Sequence, residues 1–570
     1  MLPENAFWGL SFRGLSLSGE EPPLSARDPI VDLATHTVTN RVPPLEDYDL
    51  YATDPGLGEA VAREGAGWAE AEIAAMGRAA GSAELIEAGF AANRHAPELR
   101  AFDRTGARID EVAFHPAWDR LMRLGLEAGT HSIAWTADRP GGHVAHAALE
   151  YLLTQVEAGV CCPVTMTYAS VPALRQAPAL YAEWGPKILA RAYDPRLGPI
   201  AEKGSATIGM AMTEKQGGSD VRANATVATP VDDGGVTLFG HKWFCSAPMS
   251  DGFLTLAQGE GGLSCYFVPR FTPEGRRNRI FIQRLKDKLG NRSNASAEIE
   301  YDHAWAAPVG EPGRGVATIM EMVRHTRLDA AVVCAGMMRQ AAVQAVHHAS
   351  HRSAFGKLLI DQPLMRAVLA DLVVEAEAAL ALVMRVARAF DGADEAERAF
   401  ARLAVAAAKF WITKRLPNHA YEAMECLGGA GYIEDSMLPR LYREAPVNAI
   451  WEGSGNVNAL DVLRAMAREP ESRDAVLAEC EAARGVDRRL DAALDALQAE
   501  AGRPTEAGAR RLVEQMALTL QASLLVRQGP PPVAEAFLAA RLPGSMRGCY
   551  GALPEGLSLD PILDRAHTGR

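Results

Sequence analysis

The sequence predicts an α+β fold, mainly α, in which helices flank one small β-rich section. Three observations predict it. Ala-rich stretches with apolar residues at three-and-four spacing occupy both sides of the chain's middle. Between about Gly204 and Glu311 the texture changes to short alternating runs separated by glycine turns. Strand and helix do not alternate along the chain, which argues against a doubly wound parallel sheet.

Residues 1–36 carry Glu4, Glu20 and Glu21 and no cationic start before an apolar core, so they read as a loose extension and not as a secretory signal. Residues 37–203 read as a helical domain, clearest from Glu46 to Arg191 and interrupted by loops such as Arg139-Pro140-Gly141-Gly142. Residues 204–312 read as antiparallel strands, with Val236-Thr237-Leu238 and Ile299-Glu300-Tyr301 alternating and turns at Asp233-Gly234-Gly235 and Gly259-Glu260-Gly261-Gly262. Residues 313–468 return to helices. There Leu369, Leu372, Val373, Ala376, Leu380, Val383 and Ala387 form one buried helix face, and Pro417 marks a helix start or break. Residues 469–570 form a helical appendix broken at Gly529-Pro530-Pro531-Pro532 and near Pro543-Gly544.

Composition sets outer limits on function. A chain of 570 residues exceeds the size at which one core keeps growing, so several domains are expected. No apolar run approaches the roughly 20 residues needed to cross a bilayer, which excludes membrane insertion. Lys and Arg number 58 against 71 Asp and Glu, so the whole surface is not a nucleic-acid footprint. Eight scattered Cys with no C-x-x-C pair suit a reducing cytoplasm and indicate neither a zinc ribbon nor a disulfide scaffold. Cys161-Cys162 reads as packed thiol. His347 and His351 share a helix face but have no evident third ligand, so no metal site is expected.

Neither G-x-G-x-x-G nor G-x-x-x-x-G-K-[ST] occurs, so any nucleotide is held differently. Four segments could hold one. Met212-Thr213-Glu214-Lys215-Gln216-Gly217-Gly218-Ser219-Asp220 offers backbone N–H groups and hydroxyls to an anion, or is simply a turn. Gly240-His241-Lys242-Trp243-Phe244-Cys245-Ser246 sets an indole among small polar groups, suited to an aromatic cofactor or to a core position. His351-Arg352-Ser353-Ala354-Phe355-Gly356-Lys357, with Gln362, brings a guanidinium fork that suits phosphate, or is a charged helix end. Last comes Leu427-Gly428-Gly429-Ala430-Gly431-Tyr432, followed by Ile450-Trp451-Glu452-Gly453-Ser454-Gly455-Asn456. Here a carboxylate sits between an indole and a glycine turn. Desolvation would raise its pKa, as a general base for an acidified C–H requires.

In identity, order and spacing these segments resemble the acyl-CoA dehydrogenase superfamily, and long stretches are similar to its AidB-like branch. Among those stretches are Phe114-His115-Pro116-Ala117-Trp118, Gly209 to Asp220, and Leu285 through Ser296. The similarity runs from about Thr37 to Arg464. It implies the acyl-CoA dehydrogenase fold of two helical domains around a β domain, an additional C-terminal helical domain, and FAD as cofactor.

The resemblance also implies roles. Met210, Thr213, Gly218 and Ser219 would hold the flavin's pyrimidine edge and pyrophosphate. Trp243 would pack on the isoalloxazine, with Phe244, Cys245 and Ser246 near N5 and O4. Cys245 stands where dehydrogenases usually have Thr. Arg352, Phe355 and Gln362, with Gly428 and Gly429, would reach the FAD of a neighbouring subunit in a homotetramer built as a dimer of dimers. Trp451, Gly453, Ser454 and Asn456 would close over the ring, and Glu452 would be the catalytic base. In some relatives the base lies on the helix after the β domain. Here that place reads Thr326-Arg327.

Two functions follow from the resemblance. One is an acyl-CoA dehydrogenase-type oxidoreductase that takes the α proton of an acyl thioester while the β hydrogen leaves as hydride. The alternative is a flavoprotein of the DNA-alkylation response that binds double-stranded DNA and has little dehydrogenase activity. Residues 471–570 hold twelve Arg, no Lys and fourteen Asp plus Glu, a near balance that leaves Arg464, Arg488, Arg489, Arg510 and Arg511 as the cluster candidates for phosphate contacts.

Overall fold

The computed structural model describes residues 30–542, 550 and 553–569. Most of the 1–36 extension and the break at Pro543-Gly544 therefore lie outside the described residues. The chain divides into a unit ending at Val42 and a second unit from Pro43 onward. Within the first unit, Asp32 bridges Thr37, whose hydroxyl donates to the Asp32 carboxylate over 2.9 Å.

The second unit opens with helices whose starts are written locally. Asp54 and Ser82 accept from the N–H groups of Leu57 and Leu85, capping Pro55–Arg63 and Ala83–Arg94. Gly142–Val156 is buried on every side, as expected of an Ala- and Leu-rich helix at the middle of a bundle. It packs against Cys161–Leu174 and the long helix Gly315–His351. The crossing is close: a Cβ on Gly336 would stand 2.5 Å from the carbonyl of Tyr151. Pro363–Asp391 and Glu395–Cys426 complete the central bundle. All seven residues of the expected apolar face on Pro363–Asp391 are buried.

The helical reading of 46–191 missed a hairpin. Glu98–Phe102 pairs antiparallel with Arg108–Ala113 across a turn in which Asp103 accepts from Thr105 and Ala107. A short polar turn that bonds its own backbone outweighs the surrounding helical texture. Pro417 neither starts nor breaks a helix: it lies inside Glu395–Cys426. Burial of Leu416, His419 and Ala420 on either side holds the helix together despite the missing N–H.

In the β section, Ser296–Val309 is the organising strand. It pairs antiparallel with Val236–Ser246, Ile280–Leu285 and Gly262–Pro269. Gly262–Pro269 then pairs with Gly252–Gly259, which meets Val227–Pro230, which returns to Val236–Ser246. The sheet therefore closes on itself, around Leu238, Phe253, Val268, Ile299 and Tyr301. Two pairings differ from the antiparallel expectation, since Ile208–Ala211 and Val227–Pro230 both run parallel to Gly252–Gly259. The long connections between these strands free them from hairpin geometry.

Beyond Arg468 the chain forms Pro470–Glu481, Arg488–Ala501, Ala509–Gln528 and Pro531–Arg541, with the Gly529-Pro530 break between the last two. Arg541 reaches back to Asp371 and Glu375, and Arg565 to Glu377 and Glu59. The buried Arg541 and the half-buried Arg565 thereby tie the appendix to Pro363–Asp391.

Candidate active site

The residue that begins the site is Glu452, in the turn between helices Leu438–Asn448 and Gly455–Arg468. Its backbone is left-handed, with φ 55°, which costs a non-glycine residue of the order of 1 kcal/mol or more and has to be held by its surroundings. Those surroundings are cationic. Lys409, buried in helix Glu395–Cys426, donates to the carbonyls of Trp451 at 2.7 Å and Gly453 at 2.5 Å. Arg327 donates to the Glu452 carbonyl at 3.1 Å and to Asp461 at 2.6 Å. Asn458 closes the turn onto Gly453 at 2.6 Å.

The Glu452 side chain is half-buried, and its carboxylate accepts from the Thr326 hydroxyl at 2.6 Å. Burial pushes its pKa up, against the opposing influence of Thr326, Lys409 and Arg327. The same burial carries Lys409 down to about 7. A carboxylate whose pKa is raised by burial, with a single hydroxyl partner, is equipped to accept a proton from carbon.

The second part of the site is built on the barrel. Lys242, on strand Val236–Ser246, is completely buried and pairs at 2.7 Å with Glu214, itself completely buried. Glu214 also accepts from Ala225 and from Thr226. Burial raises the Glu214 carboxyl, but Lys242, Thr226 and the Ala225 N–H together outweigh it and hold that carboxyl down at about 2. This cluster anchors the 212–220 loop from below while the Trp243 N–H donates to the Thr213 carbonyl at 2.8 Å. Above the anchor, Thr213 and Trp243 are half-buried and Gly218 and Ser219 exposed. Phe244 is exposed, Ser246 and Met210 half-buried, and Cys245 faces the barrel interior, fully buried. The Lys286 ammonium stands 3.2 Å from the Trp243 ring centre, a cation–π contact.

Arg352 and the segment that follows it lie far from Glu452. Arg352 follows the end of Gly315–His351, and the rise of an α-helix places it roughly 39 Å along the axis from Thr326. The segment lies at a helix end, one of its two readings from the sequence, and continues into a short hairpin, Ser353–Ala354 with Lys357–Leu358. Its tip, Phe355, is 98% exposed at φ 52°, and Gln362 donates to the Ala354 carbonyl. Gly356 beside the tip, at φ 79°, lets the chain reverse within two residues. Gly428 and Gly429 are exposed, with open space where a Cβ would stand. His347 and His351 have rings 4.4 Å apart, and among the described residues no three potential ligands come together to hold a metal.

The arginine candidates of the appendix are mostly paired. Arg464 meets Asp461, Arg489 meets Asp487 and Glu535, and Arg511 meets Glu500. Arg510 lies 6.0 Å from the Phe410 ring centre.

The residues around Trp243 and Glu452 fit a flavin. A half-buried indole and an exposed phenyl offer flat apolar surface, and the hydroxyls of Thr213 and Ser219 lie accessible beside glycines. The buried Trp451 Nε1 has no hydrogen-bond partner within the chain. Sequence reasoning overlooked Lys409, Asp461 and Asn458. Lys409 was detectable as the single charge in the apolar run Leu403 to Ile412; Asp461 and Asn458 stand in ordinary amphipathic helix.

Comparison with known proteins is consistent along the chain. Residues 40–195 match the adaptive response protein AidB N-terminal domain, 209–304 the acyl-CoA dehydrogenase middle domain, and 313–467 the acyl-CoA dehydrogenase C-terminal domain. AidB of Escherichia coli K12 is 47% identical over 511 residues, spanning 89% of this chain and 94% of that protein. Acyl-CoA dehydrogenase family member 11 of Caenorhabditis elegans is 35% identical over 402 residues, 67% of this chain and 64% of that one. Among solved structures, Caenorhabditis elegans ACDH-11 in complex with C11-CoA superposes with a TM-score of 0.79 at 26% identity, covering 95% of both chains. Bd2924 in its apo form gives 0.77 at 28% identity, covering 88% of this chain and all of its own.

Proposed function

From its membership in the AidB-like branch of the acyl-CoA dehydrogenase family, an FAD-dependent family of oxidoreductases, and from the geometry around Glu452, we propose that this chain dehydrogenates an acyl thioester. Glu452 takes the α hydrogen as a proton. The electron pair of that C–H bond forms the Cα=Cβ bond, and the β hydrogen departs with its own pair. FAD, when bound, supplies the acceptor for that hydride at N5. Thr213, Ser219, Trp243, Phe244 and Ser246 hold the cofactor, and Trp451, Gly453, Ser454 and Asn456 border its reacting side.

The single observation that carries the reading is a carboxylate raised by burial in a turn clamped by Lys409, Arg327 and Asn458. Such a clamp fixes the base relative to a bound thioester, and positioning accounts for much of the rate in reactions of this kind. Arg352, Phe355, Gln362, Gly428 and Gly429 complete the cofactor site of a neighbouring copy in a dimer of dimers; the exposure of Arg352, Phe355, Gly428 and Gly429 in a single chain supports this reading. Among the described residues no helix is long and apolar enough to cross a membrane, and all seven described cysteines are free thiols, which supports a reducing cytoplasm as the compartment.

The test is anaerobic mixing of the purified holoprotein with a panel of acyl-CoAs. Bleaching of the flavin band by at least one of them is expected. Glu452→Gln should retain the yellow colour and lose the bleaching. A protein that takes up no FAD on reconstitution would overturn the proposal.

A second reading, association with duplex DNA, draws support from the 47% identity to AidB. Three of the five arginine candidates, Arg464, Arg489 and Arg511, are ion-paired, so binding should be weak. A gel shift at low ionic strength should show a complex that salt removes steeply.

A further inference from the structure

Behind helix Cys161–Leu174 lies a buried polar column that the proposed reaction does not use. Glu150, on Gly142–Val156, is fully buried; its Oε1 accepts from the Thr165 hydroxyl at 3.0 Å and its Oε2 has no hydrogen-bond partner. One helical turn earlier, His146 is also fully buried. Its Nδ1 faces the Thr130 carbonyl at 2.6 Å and its Nε2 faces Asp329 at 2.9 Å. Both ring nitrogens thus meet acceptors, so both carry protons, or else Asp329 carries one. Asp329 Oδ2 is buried and unpartnered like Glu150 Oε2. Two carboxyls and one imidazole therefore flank one another with more acceptor oxygens than protons to satisfy them, and taking charge out of water favours retaining a proton among them.

The groups facing this column from each packed element support that protonation. On Gly142–Val156, His143 lies with its Nδ1 2.6 Å from the Tyr168 hydroxyl and is held neutral by burial and by the neighbouring His325. On Gly315–His351, burial brings His325 down to about 4. From Cys161–Leu174 come Cys161, its thiol pushed up by burial, and Tyr168, stacked on His146 with ring centres 3.6 Å apart. Arg175, which follows that helix, and Asp391, at the end of Pro363–Asp391, stand at the His143 end, where Asp391 accepts from the His143 N–H. His131 is brought down to about 4 by burial. Against burial, Asp329 holds His146 above the usual range, and burial with the Asp329 charge carries Glu150 up to about 8.

The column and the site share helix Gly315–His351, which carries both Asp329 and Thr326. Thr165 is half-buried on the same helix face as Cys162, one turn earlier, and the Cys162 thiol feels the charge of Glu452. Thr326, the Glu452 partner, is three residues before Asp329 on the same long helix.

We propose that Thr165 and Glu150, backed by the Asp329–His146 pair, form a second proton-exchanging group that serves the Glu452 site from helix Cys161–Leu174. The Thr165 hydroxyl turns to donate toward the site, the protonated Glu150 then donates to the Thr165 oxygen, and the proton that leaves the hydroxyl is thereby replaced from Glu150. The resulting carboxylate is stabilised by the His146 imidazolium, and the reverse transfer restores the acid. No electrons move, and no co-reactant is consumed.

Infrared spectroscopy of the resting protein tests this without any acyl-CoA, so it succeeds or fails separately from the dehydrogenation. The wild type should show a protonated-carboxyl band that fades with a midpoint near pH 8 and is missing from Glu150→Gln. Thr165→Val should slow deuterium exchange of that band several-fold, whereas Thr165→Ser, which keeps the hydroxyl, should exchange like the wild type. A spectrum unchanged by Glu150→Gln at pH 7, or equal exchange in the Val and Ser variants, overturns the proposal. The Thr165 comparison leaves Glu150 intact and stands even if Glu150→Gln does not fold.

Discussion

Thr326 donates its hydroxyl proton to Glu452 across 2.6 Å, joining the long helix Gly315–His351 to the turn that carries the proposed base. A hydrogen bond to a charged group contributes about 1.5–3 kcal/mol, and it favours the ionised carboxylate. Thr326→Val should therefore move the acidic limb of the pH–rate profile upward by about one to two pH units. Stopped-flow flavin reduction against pH reads the shift. An unmoved limb would place the titrating group elsewhere.

Lys409→Met removes both donors that hold Trp451 and Gly453 and leaves their carbonyls without that partner. We expect a loss of about 1–3 kcal/mol in stability. Flavin reduction at saturating substrate should fall more than apparent affinity does, because the turn positions Glu452 and not the remainder of the thioester.

Glu214 and Lys242 form an ion pair with no solvent exposure on either side chain. Lys242→Met strands a buried carboxylate and should cost about 3–5 kcal/mol in chemical denaturation. The double variant Glu214→Gln with Lys242→Met should recover part of that loss, since no unpaired charge remains. Loss of FAD retention is expected in the single variant, because the 212–220 loop rests on this pair.

Acid should destabilise the fold through buried histidines. His131, His325 and His419 are each brought down to about 4 by burial, below the ordinary 6.5. Between those values the unfolded chain binds more protons than the folded one. Their stabilising contribution is thus complete above pH 6.5 and is lost as pH falls through about 4. Melting temperature should decline across that window, and His419→Gln, which retains a donor for the Met338 carbonyl at 3.0 Å, should flatten the decline.

Much of this was readable in the sequence, and the unread part has a physical pattern. Helix faces such as Leu369 to Ala387 and the glycine turns of the barrel are local signals, because burial period and backbone freedom act over a few residues. The hairpin at Glu98–Ala113 escaped notice because its turn is one short Asp-centred bond network inside helical texture. Pro417 misled because a local rule about a missing N–H yields to packing on both sides of the helix.

By itself, the sequence determined the order of helices, a β section and further helices, the family and the Trp-Glu-Gly turn, since each is expressed in contiguous residues. Tertiary structure alone decided what meets that turn. Lys409, Arg327, Thr326 and Asn458 arrive from three different helices, and Glu150 finds Asp329 across a helix crossing that Gly336 permits. Charges placed in low dielectric take their protonation from neighbours distant in sequence, so no local pattern announces them.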